Sequence, residues 1–113
     1  MKSTFLAAGL VVPLMAWGHH GWSEYDSSKA LKLTGKVVAS GYEHPHGHVR
    51  LEAPGKTWNV VLAPPSRMER RGLEKGALKP GVSVTVEGYP NREKPEEMRA
   101  ERISVNGKTV ELR

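Results

Sequence analysis

Five histidines, His19, His20, His44, His46 and His48, fall within thirty residues of a 113-residue chain, and none follows in the last 65. Imidazole binds copper, zinc and nickel, and near neutral pH it is largely unprotonated and so available as a ligand. Three of the five are packed into His44-Pro45-His46-Gly47-His48. Alternate residues of an extended chain share a face, so His46 and His48 are expected on one side, together with Arg50. Pro45 restrains the segment and removes one amide donor, while Gly47 lets the backbone turn. The chain has no cysteine, which excludes thiolate metal sites, disulfides and a cysteine nucleophile. A metal site here is built on nitrogen, with methionine as the one sulfur donor.

The other two histidines follow an apolar stretch. Lys2 and the amino terminus precede Phe5–Trp17, a 13-residue uncharged and mostly apolar run. A membrane-crossing helix needs about 20 residues, so this run is too short for a stable anchor. Positive charge, apolar core and small residues form the layout of a cleaved secretory signal over residues 1–18. Ala16 and Gly18 place the cut between Gly18 and His19, with cleavage after Ala16 as the alternative; a retained anchor or a buried helix is the plainer reading. Removing eighteen of the 113 residues leaves 95, a single small domain over residues 19–113 that is periplasmic or secreted. The formal charge of +5 is mild, and export disfavours nucleic acid as a partner.

Cleavage there would make His19 the first residue. Its free amine and ring Nδ1 can then chelate one ion, and the amine, with a pKa near 7.7–8.0, gives up its proton readily at neutral pH. A third nitrogen from His20 or the central cluster would complete a planar set, which favours Cu(II) over zinc or nickel. This arrangement resembles the histidine brace of exported copper proteins, including lytic polysaccharide monooxygenases and some copper carriers. The plainer readings are a frayed terminus for His19 and His20, and a solvated loop for His44 to His48.

The elements that must position these residues follow from alternation. Leu31, Leu33, Gly35 and Val37 alternate with polar residues, as do Val49, Leu51 and Ala53, and then Trp58, Val60 and Leu62 beyond the Pro54-Gly55 turn. Gly35 suggests a bend or bulge. Pro65 can open a short helix over Arg67–Arg71, with Met68 inward and Gly72 closing it. Val82, Val84 and Val86 form the clearest strand, Tyr89–Glu97 reads as a long exposed connection, and Arg99–Val105 is a strand with Glu101 out of phase, which points to a bulge or open edge. Asn106-Gly107 turns into a terminal arm carrying Val110 and Leu112. Three strands, a helix and two more strands is the order of a small, partly open, five-stranded OB-like barrel, here all-β with one short helix and a C-terminal hairpin arm. An SH3-like barrel or a plain meander is the alternative.

His19-His20, Tyr25-Asp26, Leu33-Thr34-Gly35-Lys36-Val37, Pro45-His46 and Val84-Thr85-Val86-Glu87-Gly88-Tyr89 together resemble the domain-of-unknown-function 6152 family. Its members are small exported bacterial proteins that begin with a His pair after the signal and carry an Asn-Pro-His segment. The resemblance spans about residues 19–112 and implies export and a small β fold, without an activity. His44 stands where those relatives have Asn, and His48 is an addition. A looser, fold-level resemblance joins the chain to periplasmic OB-fold copper carriers, through the residue types of His46, Met68, Met98 and Trp58.

No enzyme is legible. Ser23, Ser27, Ser28 and Ser66 lack a nucleophile context, and Glu24 and Asp26 can at most orient neighbouring histidines. Arg67, Arg70, Arg71 and Lys75 could meet an anionic surface, although a solvated helix face accounts for them as well. Met68, Trp22 and Trp58 read as core or rim before they read as ligand contacts. The expected function is a monomeric exported barrel that carries or sequesters a transition metal, copper first, through His19, His46 and, as alternates, His20, His44 and His48. The competing expectation is a non-catalytic envelope module that recognises a partner protein or peptide, a glycan or a lipid through the barrel face.

Overall fold

A computed structural model describes residues 21–113. The expected signal segment, together with His19 and His20, lies outside the described residues. Six strands form: β1 (Leu31–Gly41), β2 (His48–Ala53), β3 (Lys56–Val61), β4 (Ser83–Pro90), β5 (Glu97–Val105) and β6 (Lys108–Glu111). One short helix, α1 (Pro65–Arg70), lies between β3 and β4, and 3-10 turns occupy Trp22–Glu24 and Lys75–Ala77.

The period-two pattern becomes a ring. β1 pairs antiparallel with β2 and with β4, β2 pairs with β3, and β4 pairs with β5. β3 then runs parallel to β5 through Asn59–Glu97, Val60–Met98 and Val61–Arg99, which closes a five-stranded mixed barrel. This is the OB order expected from the sequence. β3 engages only the first part of β5; β6 pairs outside the ring with the remainder, from Arg102–Glu111 to Val105–Lys108. The hairpin arm thus covers the length of β5 that the parallel pairing leaves open.

Two bulges give the barrel its coil. Val37 pairs with Leu51 and Ala39 with Arg50, leaving Val38 outside the ladder and 49% exposed. On β5, Arg102 faces Glu87 while Ala100 faces Gly88, so Glu101 is the extra residue. That bulge resolves the misphased alternation: Met98 and Ala100 are buried before it, Ile103 and Val105 after it. Gly35 is required by a close approach, because a side chain there would meet the carbonyl of Glu52. The connection read as Tyr89–Glu97 is shorter than expected. β4 runs on to Pro90, where the β4–β5 ladder still pairs Pro90 with Met98, and the exposed stretch is Arg92–Glu96.

The interior is aliphatic, with Val37, Leu51, Val60, Val86, Met98 and Ile103 each no more than 2% exposed. Met68 of α1 completes it. Pro65 opens that helix, and Gly72, at a φ of 93°, ends it as anticipated. Two basic residues of this stretch have structural roles: Arg67 donates to the carbonyl of Leu112 at 3.0 Å and Arg71 to that of Glu111 at 2.9 Å. They tie α1 to β6, whose outer edge would otherwise offer unpaired backbone groups. Among the described residues no helix is long and apolar enough to cross a membrane.

Met68→Ala is expected to lower the unfolding free energy by about 2–5 kcal/mol, as burial and cavity terms combine. Urea denaturation measures this, and a loss below about 1 kcal/mol would show that α1 does not plug the barrel.

Candidate functional site

Strand registers line up four residues on the outer face: Tyr89 of β4 opposite Arg99 of β5, Arg99 beside Val61 of β3, and Val61 opposite His48 of β2. Their inward neighbours Met98 and Ala100 belong to the core, so alternation directs Arg99 outward. Yet Arg99 is only 7% exposed. The segment after His20 covers it. The Trp22 ring lies 4.4 Å from the Arg99 guanidinium and presents edge-on contacts to Tyr25 and Tyr89, with centroids 6.4 and 6.3 Å away. The Arg113 guanidinium also stands over Trp22, at 4.4 Å.

The loop between β4 and β5 holds this cover in place. Tyr25 forms an isolated bridge with Asn91, and the Asp26 amide donates to the Pro90 carbonyl at 2.9 Å. Arg92 returns two bonds, from its amide to the Glu24 carbonyl and from Nε to the Ser23 carbonyl, both 2.9 Å. Asn91 Oδ1 accepts the amides of Glu93 and Lys94, shaping the turn. Beneath the cover, the Tyr25 hydroxyl donates to Glu97 Oε2 at 2.5 Å, and Asn91 Nδ2 donates to the same oxygen at 3.2 Å.

His46 is the histidine that reaches this centre. Its Nε2 lies 3.5 Å from Arg99 Nη2. A guanidinium only donates, so a bond between the two uses the lone pair of Nε2. Gly47 continues the β2–β3 ladder by bonding to Leu62 and Ala63, and it packs on the Met68 methyl, where a side chain would collide. His48 turns its ring over Gly41, and His44, preceding a cis bond to Pro45, is exposed. Among the described residues no three His, Asp or Glu side chains gather as a metal-ligand set.

Glu24, Tyr25, Pro45, His46, Val61, Lys94, Glu97 and Arg99 line a cleft of about 220 Å³. Burial, with the Glu97 carboxylate as hydrogen-bond acceptor, pushes the Tyr25 phenol well above its ordinary pKa. Burial likewise lowers Arg99, and Arg67 and Arg113 lower it further by repulsion. Glu101 is held low by the bonds it accepts from Arg113 at 2.8 Å and from Tyr89 at 3.1 Å. Met68 and Met98 are fully buried, so both are core; Trp58 packs against the core with Lys56 Nζ 4.0 Å above its ring. Arg99 carried no signal in the sequence, where an arginine between Met98 and Ala100 reads as an ordinary solvated residue.

The model of a family of unknown function (DUF6152) matches residues 8–99. The chain belongs to this family. Comparison with curated proteins finds no match. Among solved structures, the barrel is similar to part of the protein in the crystal structure of a TiaS–tRNA–ATP complex, at 20% identity and a TM-score of 0.51. The similarity covers 79% of this chain and 20% of that one, and it shows the fold alone.

Unfolding releases Tyr25 into water, where tyrosine ionises near pH 10. The folded phenol keeps its proton to higher pH, so unfolding releases protons and stability falls as pH rises past about 10. Tyr25→Phe is expected to flatten that alkaline decline and to cost about 1 kcal/mol at neutral pH. Thermal denaturation between pH 7 and 11 is the measurement; an unchanged slope would assign the decline to Tyr42 and Tyr89, whose phenols are also raised.

Proposed function

We propose that this family member is an exported, monomeric barrel that binds a transition metal, Cu(II) ahead of zinc or nickel, for carriage or sequestration. His19 supplies its amine and ring nitrogen, His46 supplies the third nitrogen, and His20, His44 and His48 are alternates. One observation carries the reading: Trp22, two residues after His20, is stacked on the arginine that faces His46. At no more than about 3.6 Å per residue, His19 and His20 can extend only about 7–11 Å from that point. Chain length thus allows a terminal histidine to approach the cleft that His46 lines, which supports the reading.

The chemistry is ligand exchange. A metal taken at His46 Nε2 uses the lone pair that faces Arg99. The positive charge of Arg99 opposes a dication, and Glu24 and Glu97 on the same wall offset it. Affinity falls in acid as the amine and imidazole take up protons. A second reading draws on the position of the cleft, between the β1–β2 and β4–β5 loops that flank the ligand face of OB barrels. In that reading the face recognises an envelope peptide, glycan or lipid, and replacing His44, His46 and His48 together leaves function intact.

Cu(II) affinity of the mature protein with His19 first, compared with a form extended by one Gly, tests the metal reading. The extension is expected to weaken binding by more than about tenfold, because it removes the amine–ring chelate. Equal affinities would take the His19 amine out of the site.

A further inference from the structure

We propose that the flank formed by α1 and β6 is a docking surface for a membrane of anionic phospholipid, presented through Arg67, Arg70, Arg71, Lys75 and Lys108. Hydrogen bonds set three of these cations along one seam. Arg67 donates to the Leu112 carbonyl at 3.0 Å, Arg71 to those of Glu111 and Arg113 at 2.9 and 3.2 Å, and Lys108 to that of Gly72 at 3.2 Å. From Leu112 to Lys108 the seam runs about 13 Å, at about 3.3 Å per strand residue. At about 100° per residue, Arg67, Arg70 and Arg71 occupy one side of the helix and Glu69 the other. Lys75 follows in the 3-10 turn, and Arg70, Arg71, Lys75 and Lys108 are all exposed.

Tying α1 to β6 leaves the charge of this flank intact. Every acceptor on the seam is a neutral backbone carbonyl, and Arg70 bonds only within its own helix, to the Ser66 carbonyl at 3.4 Å. Among the described residues the ion pairs join Lys29, Arg102 and Arg113 to carboxylates, and none involves these five cations. Glu111, on β6 itself, is engaged by Arg102 at 2.9 Å. Glu69 and Glu74 offset part of the charge and leave a positive excess on the flank. Beside it, a cleft of about 530 Å³ opens between the Lys75–Ala77 turn and the β5–β6 hairpin, with Lys108 in its wall. Leu73, Ala77, Val105 and Val110 line it, beside Glu74 and Asn106. An apolar lining next to a row of cations suits the glycerol region of a lipid beneath its phosphate layer, and offers little to a polar polysaccharide. The flank shares no residue with the cleft that His46 lines and needs no metal.

The test is co-sedimentation of metal-free mature protein with vesicles of phosphatidylglycerol and, separately, of phosphatidylcholine. Binding to phosphatidylglycerol alone is expected, weakening as salt screens the charges. Arg70→Gln combined with Lys75→Gln breaks no bond between elements and should weaken that binding at least about tenfold, since each cation near an anionic surface contributes about fivefold. Lys32→Gln combined with Lys36→Gln removes the same charge from β1, which β4 and β5 separate from β6, and should weaken it less than about threefold. Equal binding to phosphatidylcholine, no binding to phosphatidylglycerol, unchanged binding of the Arg70→Gln, Lys75→Gln protein, or an equal loss in the β1 variant would each overturn the proposal. So would tighter binding to soluble polygalacturonate than to phosphatidylglycerol, which would assign the flank to an acidic polysaccharide.

Discussion

Arg99 leaves β5 on the outer side of the barrel, where solvent would ordinarily surround it, yet the Trp22 ring stands over its guanidinium at 4.4 Å and the residue is only 7% exposed. Covering a guanidinium costs hydration that must be recovered by the ring face, by nearby acceptors and by charge from Glu24. The cost explains why the N-terminal segment is so heavily braced. Two bonds from Arg92, one from the Asp26 amide to Pro90 and the Tyr25–Glu97 pair all hold Trp22 in place. Removing any one of these loosens the cover over a buried charge rather than a simple apolar contact. The segment from Trp22 to Asp26 is consequently part of the fold and not a tail attached to it.

That constraint reaches the ring closure. The parallel pairing of β3 with β5 ends at Val61–Arg99, the position where the outward row meets the cover. Beyond it β5 bulges at Glu101 and accepts β6 in place of β3. Arg113, at the end of the arm, then folds back over Trp22 while bonding to Glu101. The first described turn and the last residue of the chain therefore meet on one indole. α1 completes the circuit from inside, its Met68 reaching Gly47 between His46 and His48. The histidine loop is thus supported by the core below and by Arg99 to one side.

The barrel was legible because its strands obey one rule. Leu31 to Val37, Val49 to Ala53 and Val84 to Val86 alternate, and burial on one face of a coiled sheet enforces that pattern. The short helix was legible from Pro65 and Gly72, whose backbone preferences are local. The out-of-phase Glu101 announced its bulge. Tyr89 and Pro90 were read as loop because proline and charge mark connections, but cross-strand pairing to Arg99 and Met98 overrode that local signal. The site was less legible. His46 and His48 were expected together as a pair two residues apart, and alternation cannot show that one ring packs on Gly41 while the other faces Arg99. Arg99 itself was invisible, since its burial depends on Trp22, far away in the chain, and no spacing rule connects them.

The same arginine sets the terms for any ligand of His46. Because a guanidinium has no acceptor, a bond between the two uses the lone pair of the His46 nitrogen that faces it. A metal bound at that nitrogen, as proposed, would compete with Arg99 for the same lone pair. Glu24, on the same wall, already offsets part of the charge of Arg99. The Trp22 ring, 4.4 Å from the Arg99 guanidinium, thus limits how far that group can move beside His46.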